Sequence, residues 1–111
     1  MNRIAMSPAA SAVLRALIGR AKVSRDRILL TDLRSVVWRS LTFDGERHEF
    51  HLRIVGPHSA AVAQRMCHGL EEAEFSIPGI IVADIAVTAG PKSGLDGSTN
   101  LSIEVLTVTE D

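Results

Sequence analysis

Aromatic side chains are scarce in this chain. It has no tyrosine, one tryptophan and three phenylalanines, too few to build the stacking platforms that hold single-stranded nucleic acid. Cys67 is the only cysteine, which excludes an intrachain disulfide and points to a reducing, cytoplasmic setting. Neither sign of charge dominates: 12 basic and 13 acidic residues leave a formal net charge of −1. That balance lacks the basic excess of a nucleic-acid-binding domain, so no sequence-specific nucleic-acid binding is expected. The cluster Arg20, Lys22, Arg25 and Arg27 is the one local departure. No stretch approaches the ~20 apolar residues of a membrane-spanning helix, so no membrane partner is expected. The opening MNRIAMSPAASA has no apolar run before its ASA and does not read as a signal peptide.

What the chain does have is alternation. From Glu46 to Val55, His48, Phe50, Leu52 and Ile54 fall on one face, and Arg47, Glu49, His51 and Arg53 on the other. That is the period of a half-buried strand. Gly56-Pro57 ends it, since proline has no N–H to give to a ladder. The period then changes to that of a helix, with Val62, Met66, Leu70 and Ala73 in one stripe. Upstream, Ser7-Pro8 reads as an N-cap followed by proline at the first helical position. Val13, Leu14, Leu17, Ile18 and Ala21 then form the stripe of a helix over residues 8–22.

Between these helices, Ile28-Leu29-Leu30 begins a short strand that Thr31-Asp32 ends or bends. Ser35–Phe43 forms the next, and Asp44-Gly45 is a two-residue hairpin signal before Glu46–Val55. Downstream, Ile80–Thr88 is nearly continuous in apolar residues and reads as a strand buried on both faces. Gly90–Ser98, with three glycines, reads as a flexible loop, and Leu101–Thr109 closes the chain as an alternating strand. The order helix, strands, helix, strands implies a single α+β domain over residues 1–111. It would be a two-layer sandwich in which an antiparallel sheet of about four strands carries two helices on one face, with residues 1–7 as a flexible N-terminus.

Candidate chemistry is thin. His48 and His51 are three apart on a strand and point to opposite faces, and Cys67 and His68 are adjacent on a helix, so neither pair presents a metal site. Cys67 falls with Val62, Met66 and Leu70, the spacing of a core-edge thiol rather than a nucleophile. Glu71, Glu72 and Glu74 form a solvated acidic helix end. Asp84 interrupts an apolar strand and is expected to point outward, because a buried unpaired charge is costly. Gly90–Ser98 matches neither GxGxxG nor a Walker lysine pattern. No catalytic residue, cofactor site or metal site is expected.

The segment Gly45-Glu46-Arg47-His48-Glu49-Phe50-His51-Leu52 resembles the small tail-terminator (tail-completion) proteins of long-tailed phages and gene transfer agents. The matching pieces are Ala9–Ala21, Trp38, Gly45 with His48, Phe50 and Leu52, Ala60–Leu70, Gly79–Val87, and Asp96-Gly97 before Leu101–Val108. Between Ala21 and Val36 the chain departs from the family, carrying Arg25-Asp26-Arg27 where a proline-containing approach to the first strand is usual. The resemblance implies a non-enzymatic structural subunit. It would form a ring, usually six-fold, cap the tail tube and join it to the neck, first in the cytoplasm and then in a virion or phage-like particle. Ile80, Val82, Asp84, Lys92, Leu95, Leu101, Ile103 and Val105 are then the expected interface residues. Two other classes stay open: a cytoplasmic α+β binding module for a small ligand or protein partner, which a deep apolar cleft near Met66, Cys67 and Trp38 would favour, and an enzyme using His48, His51, Cys67 or Asp84.

Overall fold

The computed structural model describes residues 5–109. Ser7 accepts a hydrogen bond from the Ala10 amide at 3.1 Å, and with Pro8 in the first turn helix α1 runs Pro8–Ala21. Val13, Leu17 and Ala21 are fully buried, with Leu14 and Ile18 packed at the margin. Lys22, in the left-handed conformation, ends the helix. Of the N-terminal segment expected to be flexible, residues 1–4 lie outside the described residues, and Ser7 serves as the helix cap.

The first strand is longer than the sequence suggested. β1 is continuous over Ile28–Arg39, because an irregularity between Leu30 and Asp32 absorbs Thr31 without breaking the ladder. The hairpin turn is not Asp44-Gly45. It is Ser40–Phe43, where the Ser40 amide donates to the Phe43 carbonyl at 2.8 Å and the Phe43 amide donates back to Ser40 Oγ at 2.9 Å. Asp44 and Gly45 instead open β2, Asp44–Ile54, paired with Arg39 and Trp38. Gly45 is required by close approach rather than by turning. A Cβ there would lie 2.6 Å from Trp38 Cζ2 and nearer still to the Thr107 carbonyl oxygen.

Helix α2, Ser59–Cys67, stops earlier than its apolar stripe. Gly69 takes a left-handed conformation, and Leu70–Glu72 forms a separate 3₁₀ turn that still buries Leu70. The two helices cap each other. Arg20 of α1 donates to the Met66 carbonyl at 3.0 Å and to the His68 carbonyl, while Arg65 of α2 donates to the Ala21 carbonyl at 2.8 Å. Each guanidinium thus meets carbonyls that a helix end leaves unpaired. Arg27 likewise holds the carbonyls of Val55 and Pro57. Two arginines of the basic cluster are therefore engaged within the subunit.

β3, Ile80–Ser93, and β4, Thr99–Thr109, complete one antiparallel sheet in the order β1-β2-β4-β3. The architecture is the expected α+β sandwich. Two expectations about its last third need correction. β3 is an edge strand in which only Ile85 is buried, so it is not covered on both faces. The expected flexible loop narrows to Gly94–Ser98 and is tied down. Asp96 Oδ1 accepts from the Ser98 amide and hydroxyl at 3.1 and 2.6 Å, Arg53 pairs with Asp96, and Ser59 Oγ donates to the Gly97 carbonyl at 2.7 Å.

Both helices pack on the face that carries Phe50, Leu52 and Ile54 of β2 and Leu101, Ile103 and Val105 of β4, all buried. They cover only part of that face. Strands of 11 and 12 residues span about 36–40 Å at ~3.3 Å per residue. Helices of 14 and 9 residues span about 21 and 14 Å. The sheet therefore extends beyond the helices at the end holding the β1–β2 turn.

Gly45→Ala should destabilise the fold by about 1–3 kcal/mol, since either Trp38 or the β2–β4 ladder must yield. Gly19→Ala is the control: its added Cβ meets nothing within 4 Å, and in a helix interior it should gain about 0.5–1 kcal/mol. Urea unfolding of both variants checks this.

Candidate functional site: the open face and free edges of the sheet

Residues opposite one another in antiparallel strands share a face, so the register defines rows across the open side of the sheet. Numbered β1-β2-β4-β3, one row is Trp38, Gly45, Val108 and Ile81. The next is Val36, Arg47, Leu106 and Asp84, followed by Arg34, Glu49, Glu104 and Ala86, and then Asp32, His51, Ser102 and Ala89. The face is apolar at the end beyond the helices and polar at the other.

At the apolar end Trp38 lies over Gly45. A depression of about 380 Å³ is lined by Val36, Trp38, Arg47 and Leu106. Trp38 Nε1–H is buried and finds no acceptor among the described residues, a deficit of about 1–3 kcal/mol for a buried donor. Large apolar side chains are exposed at this end of the sheet, on both of its faces. Val36 is 54%, Val37 64%, Phe43 56% and Ile81 48% exposed, and Leu41 wholly so.

At the polar end Ser102 Oγ lies 2.7 Å from His51 Nδ1, and His51 Nε2 lies 2.8 Å from Glu49 Oε1. The carboxylate accepts from Nε2–H, which leaves Nδ1 to accept the serine proton. Hydroxyl, imidazole and carboxylate are thus in line, as in a hydrolytic triad. Ser102, however, is only 8% exposed and sits mid-strand, paired with β2 on one side and β3 on the other. Its neighbouring amides serve the ladder rather than an oxyanion. The network acts as a cross-strand lock, beside the Arg47–Glu104 pair at 3.0 Å. A shallow depression of about 280 Å³ next to it is lined by Thr31, His51, Lys92, Asn100 and Ser102 among others.

The structure separates the other candidates. His48 lies on the opposite face from His51, fully buried, with Nδ1 2.8 Å from Ser35 Oγ and Nε2 3.0 Å from Thr107 Oγ1. Burial pushes its pKa down, and Glu46 only partly offsets this. Cys67 is half-buried at the end of α2, and burial pushes its thiol up against the influence of Arg20, so it carries little thiolate. Met66 and Cys67 belong to the helix layer and Trp38 to the open face, so no cleft joins the three. Glu71, Glu72 and Glu74 are exposed. Asp84 is exposed too, its carboxylate accepting from the Ile85 amide at 3.0 Å. No group of three or more His, Cys, Asp or Glu residues is placed to hold a metal ion among the described residues.

The expected interface residues divide. Leu101, Ile103 and Val105 belong to the central strand and are 3%, 0% and 0% exposed, so the subunit's own core uses them and no partner can reach them. Ile80 and Val82 are half-buried on the helix side, Asp84 and Lys92 are exposed on the β3 edge, and Leu95 stands free at the tip of its loop. Ile81, Val36, Val37, Leu41 and Phe43 were not among the expected residues. Their signal was in the sequence: Val36 and Val37 point to opposite faces of one strand, yet both are apolar. No helix among the described residues is long and apolar enough to cross a membrane. No family model matches the chain, and no curated protein or solved structure is significantly similar to it.

His48 gives the site a pH dependence of stability. Its folded pKa lies below the ordinary 6.5, so the unfolded chain takes up the proton first. The contribution is complete above about 6.5 and is lost as pH falls from there toward the folded value. The urea midpoint should therefore drop between pH 7.5 and 5, and His48→Gln, though less stable at neutral pH, should show a smaller drop.

Proposed function

We propose that this chain is a non-catalytic structural subunit that assembles with copies of itself into a closed ring, resembling a tail terminator. In that role it caps the tail tube and joins it to the neck of a phage-like particle, having assembled in the cytoplasm. One observation carries the proposal: the uncovered end of the sheet, where exposed apolar side chains occupy both faces of the β1–β2 hairpin. Such a concentration marks an interaction surface. Six-fold closure comes from the sequence resemblance alone.

A binding module for a small ligand is the second reading. The depression beside His51, Ser102, Asn100 and Lys92 favours it, since an ammonium and neutral donors there suit a small anion. Chemical-shift changes confined to those residues on titration with phosphate or acetate would support this reading, and unchanged spectra would remove it.

Light scattering across concentration, followed by electron microscopy of the large species, tests the ring. The expected outcome is a closed ring that binds the end of a phage tail tube. Val36→Asp should shift the population toward monomer. The emission of Trp38, the only tryptophan, should move to shorter wavelength as the wild type assembles. A monomer at all concentrations that ignores tail tubes would overturn the proposal.

A further inference from the structure

We infer that the contact between copies is the β3 edge of one subunit laid against the β1 edge of the next, in the register that continues the rows of the sheet. This rests on the self-assembly proposed above and names its interface. In the sheet order β1-β2-β4-β3, with every neighbouring pair antiparallel, β1 and β3 also run in opposite directions. A copy placed beside the first without rotation therefore presents its β1 antiparallel to β3, ready to continue the ladder.

Three features of the edges match in that placement. The ladders are irregular at Leu30/Asp32 in β1 and at Val87/Ala89 and Ala89/Lys92 in β3. Pro91 also removes a donor there. Regular edge thus remains over residues 33–39 of β1 and, apart from one irregularity at Val82/Asp84, over residues 80–87 of β3. Both runs lie at the same end of the sheet and are similar in length. Second, row continuation sets Ile81 beside Trp38 of the neighbour and extends the apolar patch from one copy to the next. Third, it sets Asp84 beside Val36, one row from the neighbour's Arg34. Neither Asp84 nor Arg34 has an ionic partner within 4 Å among the described residues.

The alternative, two β1 edges related by a two-fold axis, would turn one sheet end for end. Centred on Val36, the middle of the regular run, it would set Trp38 of each copy beside Arg34 of the other and leave Ile81 and Asp84 outside the contact. The row-continuing contact is heterologous, and it closes into a ring when each copy is turned about a common axis by a fixed fraction of a full rotation.

Cross-linking tests this interface in a Cys67→Ser background. Val37 and Val82 share a row on the helix side of the sheet and lie about 14 Å apart across three ~4.8 Å strand spacings within one copy, too far for an intrachain disulfide. On oxidation, the chain carrying Val37→Cys and Val82→Cys should give covalent oligomers beyond the dimer. Each single-cysteine chain should stay uncross-linked within the assembly, because the contact never sets a position beside its own counterpart, and a mixture of the two should give the mixed disulfide, read by peptide mass. Arg34→Glu and Asp84→Arg should each raise the concentration for half-assembly about five- to tenfold, and the double exchange should restore most of it. Circular dichroism confirms folding of each variant. Assembly by light scattering without mixed disulfides or charge rescue would overturn this interface and leave self-assembly standing. A monomer that forms no disulfides at any concentration would overturn both.

Discussion

The structure depends on a mismatch of length. A strand rises more than twice as far per residue as a helix, and here an edge-to-edge sheet of 11- to 14-residue strands is matched with helices of 14 and 9 residues. The helices can close only one part of one face. There the core is built from the fully buried Val13, Leu17, Phe50, Leu52, Ile54, Met66 and Ile103. The reciprocal capping by Arg20 and Arg65 ties the helices to each other at their shared end. The rest of the sheet is left as a two-sided arm.

Two residues mark where the covered part stops. His48 sits in the row beyond Phe50, flanked by Ser35 and Thr107, where the core gives way to hydroxyls. A neutral imidazole suits that position, because it can fill space beside Phe50, with ring centroids 5.9 Å apart, and still satisfy both its nitrogens. On the other face Trp38 covers Gly45, so the arm keeps a single ordered aromatic plate rather than a loose apolar edge. The same contact leaves its N–H without an acceptor. An arm with exposed apolar side chains on both faces is suited to a partner.

Much of this was legible in the chain. The alternation of Glu46–Val55, the Ser7-Pro8 start and the stripe of α1 depend on local periodicity, and each reappears in the fold. What was not legible is pairing. Asp44-Gly45 looks like a turn because that dipeptide favours one, but the close approach of the Trp38 ring and the Thr107 carbonyl needed the glycine more. Ile80–Thr88 looked buried because it is apolar, yet strand order puts it at the edge. Leu101, Ile103 and Val105 were read as interface, and the same strand order makes them the centre of the core. The Ser102–His51–Glu49 line could not be seen at all, because it requires knowing that residue 51 faces residue 102.

Edge strands explain why a surface of this kind need not be indiscriminately adhesive. An open apolar edge is a general template for aggregation, and proteins limit it with bulges, prolines and charges. All three devices occur here, and they are not spread evenly. The bulges and Pro91 on β3 disable the half of that edge away from the arm, and the irregularity near Thr31 does the same for β1. What remains open carries one charge on β3, Asp84, and two on β1, Arg34 and Arg39, of which Arg39 is paired with Asp44 at 3.6 Å. The two open edges thus carry opposite signs, and each attracts the other. Hydrophobic area supplies the tendency to associate, while the placement of irregularities and of two opposite charges selects which edge meets which.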